Sequence, residues 1–236
     1  MRITIVLMLL LIQSVSAQTG VELEQAARTY DRAAAEALLP ATAQDNELAA
    51  RTRLLCAELC RIEFEQLPES AVKERREIGK AIDVHAEAGM LLLESLPDTS
   101  ENFRTRADLL GTMIRSNYRA GKMKGEMKAA VDEALRLDPA NAKAILSQAK
   151  MLIFNPSASD RELQEGEALV LRALAMDPAL EQARLLQAHA LERLGEREKA
   201  VAIWEACLQA NPACTPARKA LATPDPPGAS ERGNVK

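Results

Sequence analysis

Glu181 to Cys214 reads EQARLLQAHALERLGEREKAVAIWEACLQANPAC, and this stretch decides the fold. It closes on Asn211 and Pro212, and a similar closure, with Pro178, lies 34 residues earlier. A third such closure, with Pro139, lies 39 residues before Pro178, which is the same period with five residues inserted. A period of 34 residues that ends each time on a helix terminus and a proline is typical of a helix–turn–helix repeat.

The order of small and large side chains inside this stretch predicts two closely packed antiparallel helices. Ala188 and Ala200 are small enough to let the two helices approach each other. Leu191 and Trp204 fill the space beside this crossing, and Gly195 supplies the positive φ that ends the first helix. The stretch therefore predicts a packed helical hairpin.

With these residues in place, the stretch resembles the tetratricopeptide repeat (TPR). The family pattern of small, large, glycine, aromatic and proline places is held here by Ala188, Leu191, Gly195, Ala200, Trp204, Cys207 and Pro212. The departures are Arg184 and Gln187, where the family often has Trp and Leu. The resemblance implies an all-α fold, in which antiparallel helix–turn–helix repeats stack as a short right-handed α-solenoid with irregular N-terminal helices.

Two earlier units follow the same pattern less closely. Ala142 to Leu180 fits with an insertion at Asn155 to Asp160, where Ser159 or Asp160 is expected to cap the second helix. The unit that closes on Pro139 is degenerate, because larger residues occupy its small places.

The ends of the chain differ from the repeats. Arg2 precedes an apolar run and a small-residue site at Ala17, which predicts a secretory signal and a periplasmic or secreted location; an uncleaved anchor is the alternative. No further integral membrane segment is predicted. The predicted organisation is residues 1–17 signal peptide, 18–97 an N-terminal region of degenerate or half repeats, 98–222 a repeat array with a cap helix, and 223–236 a disordered tail.

Prolines and capping residues divide the region before the repeats into helices. The expected elements are a helix over Gln18–Leu39 ended by Pro40, one from Asp45 or Asn46 to Phe64, one capped by Ser70 that runs to Leu96, one over Asn102–Arg119, a turn at Gly121–Gly125, and a helix over Glu126–Leu137.

The composition and the motifs of the sequence limit the classes of function that we expect. Apolar residues make up 47% of the chain but aromatic residues only 3%, which favours Ala- and Leu-rich helices. The net charge of −4 comes from interleaved acids and bases, so no nucleic-acid or anionic-lipid surface is predicted. The sequence has no phosphate loop, nucleophile elbow or zinc motif, so we expect no catalytic activity, cofactor or metal. An enzyme with an atypical site is the least favoured alternative.

Cysteine and histidine residues are the other site candidates. Cys56 and Cys60 share one helix face, and core packing is favoured over a metal pair. Cys207 and Cys214 are expected to pack in the core, with a disulfide between them as the alternative. For His85, packing is favoured over a ligand role.

The TPR resemblance implies a concave groove as the binding site. The groove places of the two clear repeats are Lys143, Leu146, Lys150, Ile153, Phe154, Gln182, Leu185, His189, Glu192 and Arg193. Mixed apolar and charged residues suit an extended peptide or a partner helix, so the expected partner is another protein or peptide. Ser147 and Leu186 occupy the places where a carboxylate clamp would have Asn, so no such clamp is predicted.

A second function is kept open beside the non-catalytic interaction scaffold. The layout of irregular helices before a few repeats also resembles the periplasmic TPR component of tripartite (TRAP-type) transporters. That resemblance implies a small-molecule-binding accessory of a solute transporter. It predicts an apolar pocket near Cys56, Leu59, Met90 and Met113.

Overall fold

The protein is all-α, as predicted. The computed structural model describes residues 17–223, and no β-strand occurs in that range. Its helices are α1 (residues 17–29), α2 (Arg32–Ala37), α3 (Leu39–Thr42), α4 (Asn46–Gln66), α5 (Val72–Leu93), α6 (Ser100–Met113), α7 (Asn117–Leu137), α8 (Ala142–Ile153), α9 (Asp160–Met176), α10 (Glu181–Arg193), α11 (Arg197–Ala210) and α12 (Thr215–Ala222).

Both chain ends fall outside the described residues. The predicted signal peptide lies there except for Ala17, and so does the predicted tail except for Thr223. Between these two residues, no helix combines the length and the hydrophobicity needed to cross a membrane.

The chain forms two compact units. Within the described range, the first comprises residues 17–98 together with Asp108–Lys124, and the second comprises Thr99–Ala107 and residues 125–223. The predicted organisation placed its boundary after residue 97, beside this division. It assigned Asp108–Lys124 to the repeat array, whereas the structure groups that segment with the N-terminal helices.

The first predicted helix, Gln18–Leu39, is wrong in its length. The chain breaks at Tyr30, whose φ of 55° is left-handed and cannot continue a helix. Asp31 then caps α2, because its side chain accepts a hydrogen bond of 2.9 Å from the Ala34 backbone N–H. Pro40 does not end a helix but lies in the first turn of α3, where a missing N–H costs nothing.

The next two helices lie close to their predicted ranges, but α4 ends at Gln66 rather than Phe64, α5 ends at Leu93 rather than Leu96, and one predicted cap is wrong. Asp45 caps α4 as predicted, accepting a bond of 3.0 Å from Leu48 N–H. Ser70 does not cap α5: that helix begins at Val72, and its N-cap residue, Ala71, makes no side-chain capping bond. The start of α5 is therefore not fixed by a capping side chain.

The turn predicted at Gly121–Gly125 is wrong. The chain turns earlier, between Met113 and Asn117, and α7 then runs without a break through both glycines. A β-carbon built at either glycine would have no neighbour within 4 Å. Both positions are exposed, so each glycine costs only its low helix propensity, about 1 kcal/mol. Tertiary burial elsewhere on α7 outweighs that cost.

The two clear repeats form as the sequence predicts. Ser159 caps α9 in a reciprocal box with Glu162, and Asn155 to Asp160 forms the tip between α8 and α9. Gly195 has a φ of 81° and separates α10 from α11. The cap helix is α12, with the predicted bounds. Helices α8 and α9 pack against each other, and so do α10 and α11.

Each unit has its own apolar interior. In the first unit, one cluster is formed by Ala26, Ala35, Cys56 and Leu59, and another by Ala50, Leu54, Ala86, Leu93, Leu109 and Met113. In the second unit, a cluster joins α8, α9 and α10 through Leu146, Ala149, Ile153, Val170, Ala183, Leu186 and Ala190. Each cluster contains small residues, which let the helices pack closely.

Candidate functional site

Three of the ten predicted groove residues are buried in the second unit. Leu146 and Ile153 are 2% and 0% exposed and belong to the core cluster that joins α8, α9 and α10. Leu185 is 8% exposed. The prediction that Leu146 and Ile153 line an accessible groove is therefore corrected: their apolar side chains fill the space between successive repeats.

The polar members of the predicted groove remain accessible. Lys143 and Gln182 are exposed, and Lys150 and His189 are half-buried. These four side chains come from α8 and α10, the first helices of the two clear repeats. The structure therefore retains a surface with the composition expected for peptide contact, although fewer apolar side chains are exposed on it than the sequence predicted.

An exposed aromatic ring lies at one end of this surface. Phe154 is the C-cap residue of α8 and is 59% exposed. Its ring centroid lies 5.9 Å from that of His189 on α10, and His189 lies 6.0 Å from Trp204 on α11 with an edge-on geometry. Because Trp204 is fully buried, the three rings form a layer that runs from the core to the surface. We call Lys143, Lys150, Phe154, Gln182 and His189 the repeat surface.

Arg193 has a structural role that the sequence did not reveal. Its Nη1 donates hydrogen bonds to the carbonyl oxygens of Ile153 and Asn155, and its Nη2 donates to that of Pro156 at 3.4 Å. These acceptors are the end of α8 and the start of the inserted tip. Arg193 therefore holds the tip of the preceding repeat, and its guanidinium is already engaged.

Glu192 is also engaged within the chain. Its carboxylate accepts a hydrogen bond from Arg197 Nη1 and lies 3.9 Å from His189 Nδ1. Arg197 additionally donates to the carbonyl oxygen of Thr223 at 2.8 Å. The carboxylate of Glu192 is therefore already paired with Arg197, which connects it to the end of the described chain.

The carboxylate clamp is not present at the positions considered. Ser147 is fully buried and donates to the carbonyl oxygen of Lys143 at 3.0 Å, while Leu186 belongs to the core cluster. Neither side chain is presented to a ligand.

All four cysteines are buried free thiols in this structure. Burial, with a smaller contribution from the nearby Cys214, raises the pKa of Cys207 to about 11. Burial also raises the pKa of Cys56 to about 12. The alternative of a disulfide between Cys207 and Cys214 is not the state seen here. Both residues pack as small apolar groups, which is the favoured interpretation of the sequence.

The pocket predicted for a transporter accessory falls in packed regions. Cys56 and Leu59 belong to one core cluster of the first unit, and Met113 belongs to the other, with Met90 packed against it. These four side chains are therefore occupied with two separate cores, which counts against a shared ligand pocket between them.

One cluster has the composition of a metal site. A carboxylate oxygen of Glu36, the Cys60 sulfur and a ring nitrogen of His85 all lie within 4.8 Å of one another. Sequence reasoning missed this group because its members come from α2, α4 and α5. They come together only when these helices pack.

The surroundings of this cluster do not suit a cation. Arg32 Nη1 lies 3.5 Å from the Cys60 sulfur and Arg53 Nη1 lies 3.2 Å from His85 Nδ1. Because Arg53 can only donate, the proton of neutral His85 lies on Nε2, which faces Glu36 at 3.4 Å. Burial raises the pKa of Cys60, which disfavours the thiolate that a metal needs. The residues form a hydrogen-bonded network that already contains two guanidinium charges.

Comparisons with known proteins identify the fold. No protein-family model and no curated protein matches the sequence significantly. Among solved structures, TTC0263, a thermophilic TPR protein of Thermus thermophilus, is 16% identical, with a TM-score of 0.58 over 90% of this chain and 100% of that one. YrrB, described as a TPR protein with an unusual peptide-binding site, is 14% identical, with a TM-score of 0.46 over 87% of this chain and 98% of that one. The likeness to TTC0263, together with the repeats described above, shows that this chain has the tetratricopeptide-repeat fold.

Proposed function

We propose that this protein is a non-catalytic scaffold that binds another protein, as an extended peptide or a helix, through the repeat surface. The main support for this proposal is the exposure of Phe154, a large aromatic side chain that is 59% exposed. Exposed aromatic rings that are surrounded by polar groups are typical of contact sites, because such rings contribute much of the binding energy of an interface.

The neighbours of Phe154 support a peptide partner. His189 lies against its ring and is itself supported by the buried Trp204, so the aromatic contact is held in place by the core. Lys143 and Lys150 add positive charge on the same helix. A partner segment with one apolar anchor and acidic residues beside it would complement this surface.

We also propose that the protein acts after export, in the periplasm or outside the cell. The basis is the sequence of the first 17 residues alone. Cleavage would be seen as an N-terminus at Gln18 in protein recovered from its own cells. A mature chain that still begins at Met1 in the cytoplasm would contradict this location.

The interaction is tested by site-specific cross-linking. A photoreactive residue is placed at Lys150 and, as a control, at Gln164, an exposed position on α9. A partner peptide that is captured from Lys150 but not from Gln164 is mapped by mass spectrometry and then synthesised. Its affinity for the full chain is measured by fluorescence anisotropy.

Substitutions then decide whether the repeat surface binds that peptide. Phe154→Ala is expected to weaken binding by at least about tenfold, as for a central interface aromatic. The matched control is Leu171→Ala, which removes an exposed apolar side chain, 49% exposed, from α9 of the same unit. Equal effects of the two substitutions, or no effect of Phe154→Ala, would rule out the repeat surface as the site.

A further inference from the structure

A second concave site lies in the first unit, along one face of α5. It is a shallow cavity, largely open to solvent, with a volume of about 380 Å³. Phe64, near the end of α4, and Arg115, which follows α6, form two of its walls. The remaining lining residues are spaced along α5, namely Val72, Arg75, Arg76, Gly79, Lys80 and Asp83. Cavities of about 300–1,000 Å³ are the usual size for small organic ligands.

The charge of the lining is strongly positive. Arg75, Arg76, Lys80 and Arg115 are cationic, and Asp83 is the one acidic residue among the lining side chains. This local excess contrasts with the chain as a whole, whose net charge is −4. Arg76 and Lys80 are four residues apart on α5, a spacing at which like charges repel each other, although an exposed ion pair of 3.4 Å with Glu77 offsets part of the Lys80 charge. An anion in the cavity would relieve that repulsion.

Arg115 and Asp83 border the cavity as an ion pair that Arg119 shares. Its Nη2 donates to the two Asp83 oxygens at 2.9 and 2.8 Å, and Arg119 donates to the same carboxylate. Arg115 Nη1 is buried, and no acceptor among the described residues bonds to it. The single Asp83 carboxylate thus pairs with two guanidinium groups, those of Arg115 and Arg119. A net positive charge therefore remains beside the cavity.

Gly79 makes room for this arrangement. A β-carbon built on Gly79 would lie 3.6 Å from Arg115 Nε, so the guanidinium lies directly over the glycine backbone. The Arg115 guanidinium is thereby held against α5, and its positive charge lies beside the cavity.

An apolar wall lies beside these charges. Val72 is 62% exposed, and Phe64 is half-buried. The Arg75 guanidinium lies 4.1 Å from the Phe64 ring centroid, and its Nη1 donates to the carbonyl oxygens of Phe64 and Leu67. Arg75 therefore lies over one face of the Phe64 ring, and Phe64 and Val72 form the apolar part of the cavity lining.

We propose that this cavity binds a small organic carboxylate, with its anionic end against Arg115 and Arg76 and its apolar body against Phe64 and Val72. The combination of a basic and an apolar wall distinguishes such a ligand from inorganic phosphate or sulfate, which would use only the basic wall. The site belongs to the first unit and does not depend on the function proposed for the repeat surface.

Four probes test this ligand class by calorimetry on the full chain at low ionic strength: hexanoate, acetate, hexylamine and inorganic phosphate. Hexanoate is expected to bind at least about tenfold more tightly than acetate, because its extra methylene groups leave water. Hexylamine is expected not to bind, because it carries the wrong charge. Phosphate binding as tight as that of hexanoate would overturn the proposal, and so would an absence of hexanoate binding.

Three variants locate the site. Arg76→Gln should weaken hexanoate binding about fivefold or more, through loss of a charged partner. Asp83→Asn should strengthen it, because a competing carboxylate is removed. The control is Lys73→Gln, which removes an exposed positive charge from α5 outside the cavity lining. Equal weakening by Lys73→Gln and Arg76→Gln would show a general charge effect and would overturn the assignment.

Discussion

The α-carbon of Gly166 on α9 faces Ile153 on α8 so closely that a β-carbon built there would lie 2.7 Å from Ile153 Cγ1. Ile153 is fully buried in the core cluster of the second unit, and Leu152 Cβ lies 3.4 Å from the same position. The crossing of α8 and α9 therefore depends on a residue without a side chain at this point.

Gly166→Ala is expected to destabilise the protein. Forcing a methyl group against Ile153 should cost about 1–3 kcal/mol. The better helix propensity of Ala returns about 1 kcal/mol, so the net loss in the free energy of unfolding should be about 1 kcal/mol. Urea unfolding followed by circular dichroism measures this difference.

The matched control is Gly125→Ala on α7, where a new methyl group would meet no atom within 4 Å. There, only propensity acts, and we expect a gain of about 0.5–1 kcal/mol. If both substitutions were stabilising, the contact between Gly166 and Ile153 would be looser than described.

Ala200→Leu tests the crossing of α10 and α11. Ala188 and Ala200 are both fully buried, as the repeat pattern predicts for the point of closest approach. The larger side chain at this position should overpack the crossing and lower the free energy of unfolding by about 1–3 kcal/mol. Thermal melting measures the effect.

Ala202→Leu is the control for this prediction, because residue 202 is exposed on the same helix. Its effect should stay within about 0.5 kcal/mol. A melting temperature unchanged by Ala200→Leu would show that the two helices do not meet closest at residue 200.

Sequence reasoning succeeded where the determinant is local. The Gly195 turn, the capping box at Ser159 and the bounds of α12 all follow from residue types within a few positions of each other. It failed at Gly121 and Gly125, because two glycines suggest a turn. Burial of the opposite side of α7 is a tertiary effect that a local pattern does not contain.

The sequence likewise predicted the candidate site only in part. The repeat register placed Lys143, Phe154 and His189 in a candidate groove; the Lys143 and Phe154 side chains are exposed, and His189 is half-buried. The register could not show that Leu146 and Ile153 are buried between successive repeats, because their burial depends on how closely small residues let the helices approach. The cavity beside α5 had no sequence signal, because Arg115 reaches Asp83 from 32 positions away.

Stability should depend on pH through His85. Burial, followed by the nearby Arg53 and, more weakly, Arg32, lowers the pKa of His85, against the opposing effect of Glu36. The folded state therefore takes up the imidazole proton at a lower pH than the unfolded state, which titrates near pH 6.5. The contribution of His85 to stability is complete above this pH and is lost as the pH falls below it, through the lowered folded pKa.

We therefore expect the free energy of unfolding to decrease between pH 7.5 and pH 5.5, and His85→Gln to reduce that decrease. Urea unfolding at both pH values measures it. His189→Gln is the control, because it removes the other histidine in the sequence, a half-buried side chain of the second unit. An identical decrease in wild type and His85→Gln would mean that His85 is already solvated in the folded state.

The oxidation state of the cysteines is the last prediction, and thiol titration with a disulfide-exchange reagent measures it. Burial raises the pKa of Cys56 and Cys207, so the native protein should react slowly at pH 8. In guanidinium chloride without reductant, all four thiols should react.

Recovery of only two reactive thiols would show that one pair of cysteines had formed a disulfide. The Cys214→Ala variant then identifies the pair. If Cys207 and Cys214 are bonded in the wild type, this variant has one more reactive thiol than the wild type. Because Cys207 lies in the last turn of α11 and Cys214 precedes α12, such a bond would lock the last repeat to its cap helix, whereas free thiols leave that junction to packing alone.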